Sequence, residues 1–333
     1  MPQSALSAAV GELAGVDISE PARPRPSRRA AREAFRLPDG QVYVDRRIGG
    51  RSVLDVLDGC RTLRIGVCLY GPPGTGKTMC VEAYAHWADP DTGDEEDPLP
   101  HITTECDEGT DAATLVGGFV PARGGGFGAH YGDACRAMRK GRVHLLDDVT
   151  NADPRPIARL YPAFDARRRI SVRELDGEVV LAGDGYFPIL AYNPEVGELA
   201  EPLRSRFPLQ VEARTDFCLA RDHLCQAEEL ASRSIRERER PQPPRRSGRP
   251  LPGYLVDVAE ALDEKCARGE CGWAPQLREL TALRTLCEAF DEQFALAALQ
   301  TMAPPEDRDQ VRDTLSAVAG DDRLPEPLAL ARD

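Results

Sequence analysis

Lysine is nearly absent from this chain of 333 residues: there are three, Lys77, Lys140 and Lys265, while the remaining basic residues are arginine. Basic charge as a whole is also short, with 42 Lys and Arg against 55 Asp and Glu, a formal net charge of -13. That balance argues against a general affinity for nucleic acid or for an anionic membrane, because both reward a basic surface through counterion release. No apolar run reaches the ~20 residues that a membrane-spanning helix needs, and no basic start followed by an apolar core opens the chain. A cytoplasmic location is therefore expected. Ten cysteines are scattered with no Cys-x-x-Cys among them, which signals neither a disulfide framework nor a zinc site. Cys266 and Cys271 near His223 match no usual metal spacing. Aromatic residues make up 6% and hydrophobic residues 41% of the chain, a little low for a wholly packed protein, so some of it should be irregular.

What is present is concentrated in one stretch. Residues Gly71, Pro72, Pro73, Gly74, Thr75, Gly76, Lys77 and Thr78 form a glycine-rich loop ending in Lys-Thr. The run Ile65 to Tyr70 before it is apolar enough for a buried strand, and the helix that follows runs through Met79 to Trp87. Strand, loop and helix in that order form a phosphate cradle, in which backbone N–H groups and the positive end of the helix face the anion. Lys77 would reach the β and γ phosphates of ATP, and the Thr78 hydroxyl would hold Mg²⁺.

Further strands are expected at His101 to Cys106, Arg142 to Asp147, Tyr186 to Tyr192 and Leu209 to Ala213, alternating with helices in the manner of a parallel α/β sheet. Arg169 to Val172 and Glu178 to Ala182 should form a hairpin with a tight turn at Asp176-Gly177. Residues 1–34, rich in proline and arginine, read as a flexible arm, residues 35–217 as the α/β nucleotide-binding domain, and residues 218–333 as a helical domain. Its expected helices are Leu219 to Arg238, Tyr254 to Ala267, Leu277 to Phe290, Phe294 to Thr301 and Asp307 to Val318. The proline-rich stretch 240–252 interrupts them as an exposed loop.

Four signals surround the cradle. The apolar run Val143 to Leu146 ends in Asp147 and Asp148, of which the first would order Mg²⁺ and the second would polarise the attacking water. The strand ending at Asn193 delivers a polar amide to the C-terminal edge of the sheet, where ligands of open parallel sheets bind. Arg204 and Arg206 lie eleven and thirteen residues beyond it, and beside an ATP site an arginine there suggests a finger reaching a neighbouring subunit. Arg278 opens a helix of the second domain, where it can reach the γ-phosphate from the same chain.

Together these residues resemble the AAA+ ATPases, and within them the MoxR and dynein-related branch that includes the CbbQ, NorQ and GvpN proteins. The resemblance implies a P-loop NTPase core with a C-terminal helical lid, ATP and Mg²⁺ as cofactors, and a homo-oligomeric ring, most often of six. It makes Asn193 sensor 1, Arg206 the finger with Arg204 as its substitute, and Arg278 sensor 2. Gly40 to Gly50, with Arg47, is similar to the segment that packs on adenine. The segments Thr114 to Phe119, Gly124 to Phe127 and Gly132 to Gly141 are similar to the helix-2 insertion of that branch, and the hairpin around Leu175 to Gly177 to its pre-sensor insertion. Relatives commonly act as chaperone-like activators beside a von Willebrand A domain protein. Asp148 departs from the pattern, since most relatives carry Glu there, and slow hydrolysis is expected from the shorter side chain. Two other readings stay open: a nucleic-acid-stimulated motor, which requires basic pore insertions (Arg123, Arg136, Arg139, Lys140, Arg168, Arg169 and Arg173 are offered), and an ATP-dependent scaffold or switch that barely turns over.

Overall fold

The computed structural model describes residues 34–38, 40–121, 126–225, 250–320 and 324–328. Nearly all of the expected arm over 1–34, Arg123, the continuation of the expected helix from Leu219 beyond residue 225, and most of the 240–252 loop lie outside the described residues.

Five strands build one parallel sheet: β1 (Val67–Tyr70), β2 (His101–Glu105), β3 (Val143–Asp147), β4 (Phe187–Tyr192) and β5 (Leu209–Glu212). Their order across the sheet is 5-1-4-3-2. All four pairings are parallel, with Val67 opposite both Ile189 and Leu209, and Val143 opposite both Phe187 and His101. Each expected core strand is present, shortened by a residue or two at one end.

Alternation along the strands explains why the central ones read as continuous apolar runs. In β4, Phe187, Ile189 and Ala191 face one core, while Leu190 and Tyr192 face the other. A strand buried on both faces has no polar side to reveal its period. The first core is filled by the helix after the glycine-rich loop (Lys77–Ala88), through Cys80, Val81, Ala83, Tyr84 and Ala85, and by Leu54 and Leu57 of the helix Val53–Thr62. The opposite core receives Ala134, Cys135, Ala137 and Met138 from the helix Asp133–Lys140. The result is a helix–sheet–helix sandwich.

Two hairpins project from this core. Gly117–Pro121 pairs with Phe127–Tyr131, and Arg169–Val172 with Glu178–Leu181. The second is closed by a five-residue connection instead of the expected tight turn: a short 3₁₀ segment over Arg173–Leu175 precedes Asp176 and Gly177, both left-handed at φ 55 and 77. Leu175 is buried in the core, and that anchor requires the longer connection.

After β5 the described chain is helical: Phe217–Leu224, Gly253–Ala267, Leu277–Ala289, Glu292–Met302 and Arg308–Ala319. They enclose a third core of leucine, valine and alanine, among them Leu255, Leu262, Leu280, Leu283, Leu296 and Leu315. Among the described residues, no helix is long and apolar enough to cross a membrane.

Candidate nucleotide site

The C-terminal ends of three adjacent strands meet at the glycine-rich loop. Gly71 leaves β1 and donates its N–H to the Tyr192 carbonyl at 3.2 Å, which places Asn193 beside the start of the loop. On the far side of β4, Asp147 ends β3, and its carbonyl accepts from the Cys106 N–H at 2.9 Å.

Tight packing explains glycine at position 71. Its φ is 147, and a Cβ there would lie 2.2 Å from the Ala213 carbonyl oxygen just after β5. Gly71→Ala is expected to destabilise the fold by on the order of 3 kcal/mol, lowering the thermal midpoint by roughly 6–12 °C. Gly177→Ala is the control: φ is also positive, but no atom lies within 4 Å, so a thermal scan should show a much smaller loss.

Lys77 is 8% exposed. Its ammonium donates to the carbonyls of Gly71 at 2.8 Å and Pro72 at 2.9 Å. Burial lowers its pKa, opposed by the charges of Asp147 and Asp148 and reinforced by Arg278. Thr78 Oγ1 donates to Asp147 Oδ2 at 2.6 Å. These two oxygens are hard donors side by side, the set that suits Mg²⁺ when phosphate and water complete its shell.

Asp148 follows with left-handed backbone, φ 51 and ψ 40, and its N–H donates to Asp147 Oδ1 at 3.1 Å. Desolvation and the neighbouring Asp147 push its carboxyl above the ordinary range, while Lys77 and Arg278 pull the other way. Asn193 Oδ1 accepts the Glu195 N–H at 3.1 Å. The oxygen thus shapes the turn through Pro194, and the amide NH₂ is left as the donor it could offer a phosphate.

The helix Leu277–Ala289 sits directly on the loop. Its Arg278 N–H donates to the Gly74 carbonyl at 3.2 Å. A Cβ at Gly74 would come within 3.3 Å of side-chain atoms of Gln276, Arg278 and Glu279. A capping box between Gln276 and Glu279 starts this helix, and Gln276 Oε1 also accepts from the Thr215 hydroxyl at 2.7 Å. Backbone, cap and cross-link therefore hold the exposed Arg278 at the rim of the site.

The two candidate finger arginines lie elsewhere. A Cβ at Gly66 would be 2.8 Å from the Arg206 carbonyl, so Arg206 abuts the start of β1, whereas the loop leaves its end. Four strand residues separate the two, about 13 Å at ~3.3 Å each. The Arg206 guanidinium lies 4.7 Å from the centre of the Tyr161 ring, with Asp165 at 3.7 Å and the Pro202 carbonyl at 2.7 Å. Arg204 is more exposed, contacting the Leu199 carbonyl at 3.3 Å and Glu201 at 3.8 Å.

Arg47 closes its own exposed turn, its Nη1 donating to the Gly50 carbonyl at 2.9 Å. Its neighbour Arg46 instead donates to Thr75 and Gly76. The sequence singles out Arg47 in this segment and gives Arg46 no role, because two adjacent arginines carry no local signal to tell them apart.

Residues 66–207 match the family of AAA domains described as the dynein-related subfamily. No curated protein matches the chain at a significant level. Among solved structures it is similar to a "putative ATPase" from Cytophaga hutchinsonii, at 14% identity over 78% of each chain and a TM-score of 0.37.

Proposed function

Residues 66–207 belong to the dynein-related AAA domains, and from that premise we propose that the chain works as an AAA+ ATPase ring of the MoxR type, hydrolysing ATP to remodel a protein client. Residues 71–79 would hold the nucleotide, and Thr78 and Asp147 would hold Mg²⁺, which when bound neutralises charge on the phosphate oxygens. Asp148 would orient the attacking water, with Asn193 and Arg278 as phosphate sensors. Arg206 would complete the site of the adjacent subunit, with Arg204 as its substitute.

One observation carries the choice of a protein client: the two hairpins stand side by side and expose apolar side chains. Tyr131 of the first donates its hydroxyl to both Glu178 oxygens of the second, at 2.8 and 2.9 Å. Phe119, Val120 and Phe127 on one, and Val179 and Leu181 on the other, are between 44% and 74% exposed. Exposed apolar side chains grouped like this mark an interaction surface.

Several of the basic residues that a nucleic-acid motor would need are engaged within the chain. Lys140 is paired with Asp94, Glu96 and Asp97, Arg136 with Asp97 and Asp133, and Arg139 stacks over Tyr131. Arg168 donates to the Gly183 carbonyl.

ATP turnover of the full chain should therefore rise on adding an unfolded, apolar polypeptide and stay flat with single- or double-stranded DNA. Replacing Phe119 and Phe127 together by Ser should remove that rise while leaving basal turnover. Stimulation by DNA, or by polypeptide in the double variant, would count against the reading. A von Willebrand A domain protein is the partner to examine first.

A further inference from the structure

Arg46 spans the outside of the glycine-rich loop. Its Nη1 donates to the Thr75 carbonyl at 2.8 Å and its Nη2 to the Gly76 carbonyl at 3.2 Å. The backbone behind it is fixed. The Val53 N–H donates to the Arg46 carbonyl at 3.0 Å, and the pairing of Arg47–Ile48 with Arg51–Ser52 closes the residues between them into a small hairpin. Arg46 is therefore held at the foot of the helix Val53–Thr62, across 29 and 30 residues of sequence from its two partners.

The consequence follows from the planarity of the peptide bond. In a trans peptide, the carbonyl and the following N–H point in opposite directions. Holding the Thr75 carbonyl outward aims the Gly76 N–H inward, and holding the Gly76 carbonyl outward aims the Lys77 N–H inward. Gly76 sits at φ 80, where glycine is permissive. Its carbonyl also accepts the Cys80 N–H at 3.0 Å as the helix begins, so Arg46 acts chiefly on the Thr75–Gly76 peptide and adds to the helix in holding the next one. A planar guanidinium engages two carbonyls at once from one rigid fork, which an ammonium cannot do in the same way.

We infer that Arg46 is a positioning residue for nucleotide binding: it presets the Gly76 N–H of the phosphate cradle, and with the helix steadies the Lys77 N–H, before the anion arrives. The inference rests on reading residues 71–78 as that cradle. Because a cradle of this kind wraps the part of the polyphosphate shared by both nucleotides, Arg46 acts on ATP and ADP alike and leaves the cleavage step alone. Its effect belongs in affinity and KM, with kcat spared.

The test uses the full chain as wild type, Arg46→Ala, Arg46→Lys and Lys77→Ala, titrated with fluorescent ADP and ATP and assayed for steady-state ATP turnover. Arg46→Ala is expected to weaken both nucleotides equally, by about 10- to 100-fold, the loss of two charge-assisted hydrogen bonds. KM for ATP should rise in parallel, with kcat at saturation within about threefold of wild type. Arg46→Lys should keep the charge but recover only part of the affinity, because it lacks the fork.

A residue that only braced the fold would give a different pattern: a lower thermal midpoint and a smaller active fraction, with unchanged affinity in the fraction that binds. That pattern overturns the inference. If Arg46→Ala fails to fold, Arg46→Lys supports the same comparison. Wild type that binds neither nucleotide, or binds no better than Lys77→Ala, would remove the phosphate-loop reading underneath. Binding by wild type with equal affinity in the folded Arg46 variants would remove Arg46 alone.

Discussion

Arg206→Ala is expected to lower ATP turnover of the assembled protein by on the order of 10³-fold, with the affinity of dilute subunits for ATP unchanged. The geometry within one chain motivates both halves of that expectation. Arg206 abuts the start of β1 and the nucleotide loop leaves its end, so the guanidinium cannot serve the cradle of its own chain. Nor is it idle: it rests on the Tyr161 ring and beside Asp165, and its Nε is buried without a hydrogen-bond partner. A neighbour's phosphate would have to draw it from these contacts. Arg204, more exposed, should show the smaller loss on replacement.

Mixing supplies the decisive comparison. Arg206→Ala and Lys77→Ala should each be almost inactive, yet a one-to-one mixture should regain activity, because about a quarter of randomly formed interfaces pair an intact loop with an intact arginine. Recovery requires that the two groups act from different subunits. Absence of recovery in a mixture shown to co-assemble, or full turnover by Arg206→Ala alone, would exclude Arg206 from the shared site. Specific activity of the wild type should also climb with protein concentration and then level off.

The sheet was legible because its central strands are buried on both faces, so Val143 to Leu146 and Phe187 to Tyr192 stand out as unbroken apolar runs. The glycine-rich loop was legible because its residues act through a contiguous backbone. The parts that sequence reading missed depend on partners distant in the chain. Arg46 finds Thr75 and Gly76 from outside the loop. The docking of the second domain runs through Thr215 and Gln276, 61 residues apart. Lys140 reads as a free pore cation until the segment Asp94–Asp97 folds over it. The hairpin turn was misread for a related reason: Asp176-Gly177 does adopt two positive φ values, but burial of Leu175 sets the length of the connection.

Asp148→Asn should reduce kcat by roughly 10²- to 10⁴-fold, the span of general acid–base contributions, and leave ATP binding intact. The substitution keeps the shape and removes the charge that would polarise the attacking water. It also keeps the backbone geometry, because Asn tolerates the left-handed region as well as Asp does. That matters here, since Asp148 sits at φ 51 and is tied to Asp147 by its N–H. Asp148→Glu tests the other side of the question. The added methylene extends the carboxylate by about 1.5 Å, and a misplacement of about 1 Å can cost 10²-fold in rate. The Glu variant should therefore match or exceed wild-type turnover. Its cost should fall on stability, because Glu is less at ease than Asp in left-handed backbone: a slightly lower thermal midpoint together with equal or faster hydrolysis. Single-turnover hydrolysis and a thermal scan on the three proteins separate the two effects. Full activity in the Asn variant would remove Asp148 from the reaction. Slower hydrolysis by the Glu variant would mean that the left-handed backbone already delivers the shorter side chain to its working position.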